Sequence, residues 1–292
     1  MDHDMTSVLK ELDRLYEVGS RKKIENFIGS RLIEYKPCCG GFKIEYVTFL
    51  NEAGFFYKSC NQFKKSVRFF QQAADLIQAY LGRENESYAS VLNNMAGIYR
   101  QMGCYEKAAR LFEEVLNIYS EAGGKETFLY ACALNNLALV YFDRKFFSKV
   151  VSHQEKALEI IRNLGGHRTE YAVSLGNLAS AYQSMGLYEK ASEMLKEEIE
   201  ILREEGENSY EYASGLNNLA SCFYYQQNYN KAKKYYTAAI AFFKEHPEKY
   251  GKDYAVVLEG LSSTCGKLGE TNKSSQYSKL AAEIVNQLRE GE

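Results

Sequence analysis

Residues 88–129 read YASVLNNMAGIYRQMGCYEKAARLFEEVLNIYSEAGGKETFL. In the first half Leu92, Met95, Ala96 and Tyr99 recur at i, i+3, i+4 and i+7, one face of a 3.6-residue period. Gly103 follows, suited to the left-handed turn that closes a helix. The second half repeats the pattern with Tyr105, Ala108, Phe112, Val115, Leu116 and Tyr119. The stretch therefore predicts two amphipathic helices joined by a short turn, with a polar, Gly-containing loop leading onward.

The same unit returns along the chain. Aligned on their first tyrosine, units start at Tyr46, Tyr88, Tyr130, Tyr171, Tyr212 and Tyr254, at spacings of 42, 42, 41, 41 and 42 residues. A fixed period of that length means stacked helix pairs. A small residue sits on each first helix: Gly54, Ala96, Ala138, Ala179, Ala220 and Ser262. Small side chains there allow close helix approach. One turn later stand Tyr57, Tyr99, Tyr141, Tyr182 and Phe223, with Cys265 in the last unit. The turn column holds Gly103, Gly186 and Gly269, alternating with Asn61, Lys145 and Gln227. A second small column opens the second helix: Ser66, Ala108, Val150, Ala191, Ala232 and Ser274.

On these residues the unit resembles the tetratricopeptide repeat, in the long form of about 42 residues found in kinesin light chains and many bacterial proteins. The phrase Leu-Asn-Asn-Leu-Ala, present at 134–138 and 216–220, is shared with that form. The resemblance runs from Tyr46 to about Leu288 and implies an all-α, right-handed superhelical solenoid of about seven helix-turn-helix repeats. It identifies a scaffold rather than an activity.

Composition narrows the function. Net charge is −2, which gives no basic stripe for nucleic acid. No apolar run approaches the ~20 residues needed to span a bilayer. The charged, amphipathic opening MDHDMTSVLKELDRLYEV is unlike a signal peptide. With seven cysteines and no Cys-x-x-Cys pair, neither a disulfide framework nor a zinc site is indicated. A cytoplasmic protein without nucleic-acid or membrane partners is the expectation. The adjacent Cys38 and Cys39 are read as incidental thiols.

Residues 1–45 read as a degenerate N-terminal repeat or cap. Val8, Leu12 and Leu15 occupy first-helix core columns, Gly19 the turn, and Ile24, Ile28 and Leu32 the second helix. Residues 46–292 then hold six repeats in one continuous domain, the last helix pair serving as C-terminal cap. Its apolar face (Tyr277, Leu280, Ala281, Ile284, Val285, Leu288) is expected to pack inward, and self-association through the terminal repeats would follow from such marginal capping. Short loops are expected at 121–128, 165–170, 206–211 and 246–253, the last containing Pro247. The Glu-rich 193–207 reads as a solvated helix with i,i+4 pairs, and Lys64, Lys65 and Arg68 as a solvated basic face.

Nothing in the chain points to catalysis, a cofactor or a metal. His3, His153, His167 and His246 are isolated, and the GGKET at 123–127 lacks the spacing and preceding strand of a phosphate loop. An enzyme is not expected. The informative column is polar. Asn93-Asn94, Asn135-Asn136 and Asn217-Asn218 occupy matching pairs, with Gly176-Asn177, Asn51-Glu52 and Glu259-Gly260 in the other units. At 100° per residue these positions fall broadly opposite the core face. Asn costs up to ~0.7 kcal/mol relative to Ala inside a helix, so its recurrence asks for a reason. An amide offers both a donor and an acceptor, matching a peptide backbone. The resemblance implies that this face lines a concave groove, and that the Asn column can clasp a bound peptide there. The other reading is an Asn that bridges adjacent repeats.

Groove walls complete the candidate site. One column reads Phe55, Gly97, Leu139, Ser180, Ser221 and Ser263; another reads Lys58, Arg100, Phe142, Gln183, Tyr225 and Lys267. The candidate peptide-binding residues are Asn51, Asn93, Asn94, Arg100, Asn135, Asn136, Leu139, Phe142, Asn177, Gln183, Asn217, Asn218 and Tyr225. The expected function is a non-catalytic scaffold that holds a protein or peptide segment in the groove. A peptide-sensing regulator acting through a partner protein, and a purely architectural or oligomerisation module, are the alternatives.

Overall fold

The computed structural model describes residues 5–37, 41–206 and 209–290. The vicinal Cys38-Cys39 pair and His3 lie outside the described residues. All regular structure among the described residues is helical, in seven successive pairs. They are α1 (Met5–Val18) and α2 (Arg21–Glu34), α3 (Ile44–Ser59) and α4 (Phe63–Leu81), α5 (Glu86–Gln101) and α6 (Tyr105–Ala122), α7 (Phe128–Asp143) and α8 (Phe147–Leu164), α9 (Arg168–Ser184) and α10 (Tyr188–Glu205), α11 (Tyr210–Tyr225) and α12 (Tyr229–Glu245), and α13 (Pro247–Lys267) and α14 (Thr271–Glu290). The chain divides into two compact units, Met1–Val140 and Tyr141–Glu292, with the division inside α7. In the first unit each helix from α1 to α6 packs on the next; in the second the same holds from α8 to α14, and the first helices α9, α11 and α13 also touch in series.

The turn column explains why each pair closes the same way. Gly19, Gly103, Gly186 and Gly269 have φ between 71° and 77°, and Asn61, Lys145 and Gln227 reach 57° to 61° at the equivalent places. At the six turns after the first, the next residue's N–H bonds five residues back: Gln62 to Tyr57, Cys104 to Tyr99, Phe146 to Tyr141, Leu187 to Tyr182, Asn228 to Phe223 and Glu270 to Cys265, at 2.8–2.9 Å. This is the Schellman closure, which satisfies carbonyls a helix end would leave bare. Lysine and glutamine accept a left-handed backbone here because the bond repays part of the steric cost.

Both small columns are largely buried. Ala96, Ala138, Ala179 and Ala220 are fully buried, as are Ala108, Ala191 and Ala232. In the pair α3/α4 the hydroxyl of Ser66 donates to the carbonyl of Gly54, so the contact is backbone-close. A Cβ on Gly54 would stand 2.5 Å from the Phe70 ring. The aromatic column is capped from the second helix by a lysine eight residues on. Lys65 lies over Tyr57, Lys107 over Tyr99, Lys149 over Tyr141, Lys190 over Tyr182 and Lys231 over Phe223, at 4.0–5.5 Å from the ring centres. Each such contact is worth about 0.5–1 kcal/mol where solvent reaches it. In the front repeat, Leu12, Ile24 and Ile28 form a cluster with Ala53 and Phe56 of α3.

One local expectation fails and another holds in part. Residues 247–253 are helical, not a loop: Pro247 opens α13, where its missing N–H costs nothing, and the chain bends at Tyr250 (φ −123°, ψ 27°) before continuing. On α14, Ala281 is buried and Leu288 packs on Gly251, but Leu280 is 38% exposed, so the apolar face is only partly covered. Among the described residues no helix is long and apolar enough to cross a membrane.

Candidate functional site

The polar column follows the first helices and lies half-buried along them. In the first unit it comprises Asn51 on α3, Asn93, Asn94 and Arg100 on α5, and Asn135, Asn136 and Leu139 on α7. There the amides are used between repeats: Asn136 Nδ2 donates to Asn93 Oδ1 at 3.0 Å. The Asn51 Oδ1 atom is buried without a hydrogen-bond partner. At the Asn93–Asn136 pair the column follows the bridging reading. Asn93 and Asn136 meet at the seam between α5 and α7, because an amide is long enough to reach across it.

In the second unit Phe142 is held at the end of α7, edge-on to Phe147 at 5.7 Å. Asn177 and Gln183 are on α9, and Asn217, Asn218 and Tyr225 on α11. Gln183 Nε2 donates to the Asn218 carbonyl at 2.9 Å and approaches Cys222 Sγ at 3.1 Å, tying α9 to α11. Burial pushes the Cys222 thiol up to about 11, so it stays protonated and unreactive at neutral pH.

Four of the expected residues come together. Gln183, Asn217, Asn218 and Tyr225 line an open cleft of about 380 Å³ with Ser221 and Tyr224 of α11, Tyr236 of α12, and Val256, Glu259, Gly260 and Ser263 of α13. That volume suits a few side chains of a ligand. Gly260 shapes the floor, since a Cβ there would stand 2.5 Å from the Tyr236 ring. Tyr236 is buried, its phenol pushed up to about 12 by burial despite a hydrogen bond with Ser221. Tyr225 is 56% exposed, stacks on Tyr188 at 4.7 Å, and meets Tyr224 edge-on at 5.5 Å.

Sequence reasoning missed several of these. The unit from Tyr171 to Tyr212 is one residue shorter, so the turn bonds place Tyr224, not Tyr225, opposite Gln183: Gly186 N–H reaches the Gln183 carbonyl, and Gln227 N–H reaches that of Tyr224. The register of the left-handed turns carried that signal. Glu259 occupies the Asn93, Asn135 and Asn217 column, and in the cleft it is the single charged lining residue. Tyr236, on a second helix, carried no signal separable from core.

One acid in the supposedly solvated Glu-rich helix is also misplaced. Glu198 is 8% exposed and its Oε2 has no hydrogen-bond partner. It fills space vacated by glycines on both flanking first helices: a Cβ on Gly176 would lie 2.5 Å from Oε1, and one on Gly215 3.4 Å from Oε2. Burial alone raises its carboxyl to about 8. Elsewhere on α10, Glu197 accepts from the Tyr171 hydroxyl, which Arg162 also contacts, and Glu204 pairs with Arg168.

A family model described as tetratricopeptide repeat matches residues 45–121, 129–204 and 211–287. The chain belongs to the tetratricopeptide repeat family. No curated protein matches it. Among solved structures, BtubC (BKLC) from P. vanneervenii is 20% identical, with TM-score 0.66 over 82% of this chain and 92% of that one. The apo form of RapI is 16% identical, with TM-score 0.69 over 98% and 99%. A Rap protein complexed with Competence and Sporulation Factor is 14% identical, with TM-score 0.59 over 99% and 100%. At these identities the likeness speaks to the tetratricopeptide solenoid fold. Among the described residues no group of three or more His, Cys, Asp or Glu could hold a metal ion.

Proposed function

We propose that this tetratricopeptide protein is a non-catalytic binding module, cytoplasmic in location, that seats an extended peptide segment of a partner in the cleft between α9, α11 and α13. The supporting observation is the cleft's lining: side-chain amides of Asn217 and Asn218 beside exposed Tyr225, in an open trough of about 380 Å³. The amide groups supply both donor and acceptor for a peptide backbone, and tyrosine supplies contact area at low entropic cost. The Asn93–Asn136 bridge argues that the first-unit amides serve the scaffold, so the reading rests on the second unit.

The test is binding of fluorescent nine-residue random peptide pools to the full chain by anisotropy. Saturable binding is expected. The Asn217→Ala/Asn218→Ala variant should weaken it roughly 5- to 100-fold, the loss of two hydrogen bonds at about 0.5–1.5 kcal/mol each, with the thermal midpoint held. Unchanged affinity with a lowered midpoint would make both amides scaffold and overturn the reading.

A second reading has one observation in its favour. The likeness to a Rap protein complexed with Competence and Sporulation Factor runs the whole length of both chains. A peptide sensor acting through a partner protein would show a bound peptide altering that partner's affinity, and reciprocally. A plain scaffold would show no such coupling.

A further inference from the structure

Every ring in the aromatic column from Tyr57 to Phe223 has a lysine of this chain over it. The cleft tyrosines do not. Among the described residues no lysine or arginine lies over Tyr188, Tyr224, Tyr225 or Tyr236, although Tyr225 is more than half exposed. The cleft lining includes no Lys, Arg or His, and its one charge is the carboxylate of Glu259, exposed on α13. Two rings at 88° to one another therefore stand in the same trough as an acid with no cation of the chain's own beside it.

From this geometry we infer that the cleft is a subsite for a cationic side chain, arginine or lysine, of the bound peptide. The inference rests on the peptide-binding reading above and adds its specificity. The electron-rich faces of Tyr224 and Tyr225 attract the cation, and Glu259 neutralises it. Arginine suits the site better than lysine, because its planar guanidinium can lie on a ring and still present two N–H groups to one carboxylate. Asn217, Asn218 and Ser263 then remain for the neighbouring peptide groups. Gly260 is part of the device: only without a side chain there can the Tyr236 ring close the floor.

The experiment uses the full chain and nine-residue peptide pools in which one position at a time is fixed as arginine, lysine, norleucine or glutamate. At one position, arginine pools are expected to bind roughly 3- to 30-fold tighter than norleucine pools, with lysine between and glutamate weakest. Glu259→Gln and Tyr225→Ala should each remove most of that preference, while Tyr225→Phe keeps it. Thermal midpoints show whether each variant is folded, and Tyr225→Phe with Glu259→Gln, both near-isosteric, keep the test valid if Tyr225→Ala is not. Pools that bind without preferring a cation at any position would overturn the subsite and leave peptide binding standing. A preference that survives both Glu259→Gln and Tyr225→Ala would place the cation elsewhere and overturn it too. No binding by any pool would remove both proposals.

Discussion

The side-chain amide of Asn136 donates to the side-chain oxygen of Asn93 at 3.0 Å, joining α7 to α5. Forty-three residues apart in the chain, the two are neighbours because the repeat period stacks first helix on first helix. A half-buried amide pair of this kind contributes about 0.5–1.5 kcal/mol. Asn136→Ala raises local helix propensity, yet the denaturant midpoint is expected to fall. A double-mutant cycle with Asn93→Ala should return a coupling of about that size, and additivity within experimental error would show the bond to be idle. Peptide binding in the second-unit cleft should be untouched.

Glu198 makes stability depend on pH. Its folded carboxyl titrates at about 8, against an ordinary value of 4.5. Below pH 4.5 folded and unfolded chains both hold the proton, and the residue carries no charge penalty. Between the two values only the folded chain holds it, so stability falls as pH rises, and above pH 8 the penalty is complete. Its ceiling is on the order of 5 kcal/mol. Glu198→Gln keeps the shape and removes the proton. Thermal midpoints of the two proteins should lie closest below pH 4.5 and diverge toward pH 9 in favour of the variant; parallel curves would show a solvated carboxylate.

The left-handed turns hold a second reserve. Gln227 and Lys145 both sit at φ 61°, where Gly103 and Gly186 stand in sister repeats. Gln227→Gly should stabilise the protein by about 0.5–1 kcal/mol, since relief of steric crowding outweighs the added freedom of the unfolded chain. Gly186→Ala should destabilise by a similar amount. Urea midpoints decide both signs.

Gln154 on α8 is completely buried, and neither its amide nitrogen nor its oxygen has a hydrogen-bond partner. The same column holds Phe70, Phe112, Leu195 and Tyr236 in other repeats. Leaving a buried polar group unpaired costs about 1–3 kcal/mol. Gln154→Leu should therefore raise the urea midpoint, by on the order of 1–3 kcal/mol in stability. A lowered midpoint would mean the amide is satisfied in solution.

Much of the architecture was legible in the sequence. The period, the small and aromatic columns and the turn positions follow from local chemistry repeated six times, and repetition lets one unit's ambiguity be settled by the next. Gln227 could be read as a left-handed turn residue only because Gly103 and Gly186 stand in its column. Which polar side chain faces what is a different kind of fact. Asn136 and Asn218 are alike in sequence context. The first is spent bridging to Asn93, whereas Gly176 at the place equivalent to Asn93 leaves a gap that Glu198 fills from the second helix. Glu259 gained its meaning from Tyr224 and Tyr225, thirty-five and thirty-four residues earlier, and from lysines that cap every ring of the outer column but not theirs. Backbone course is set by interactions within about five residues, which a linear pattern records. The burial and pairing of one carboxyl depend on residues brought alongside from other helices, and only the packed structure brings them there.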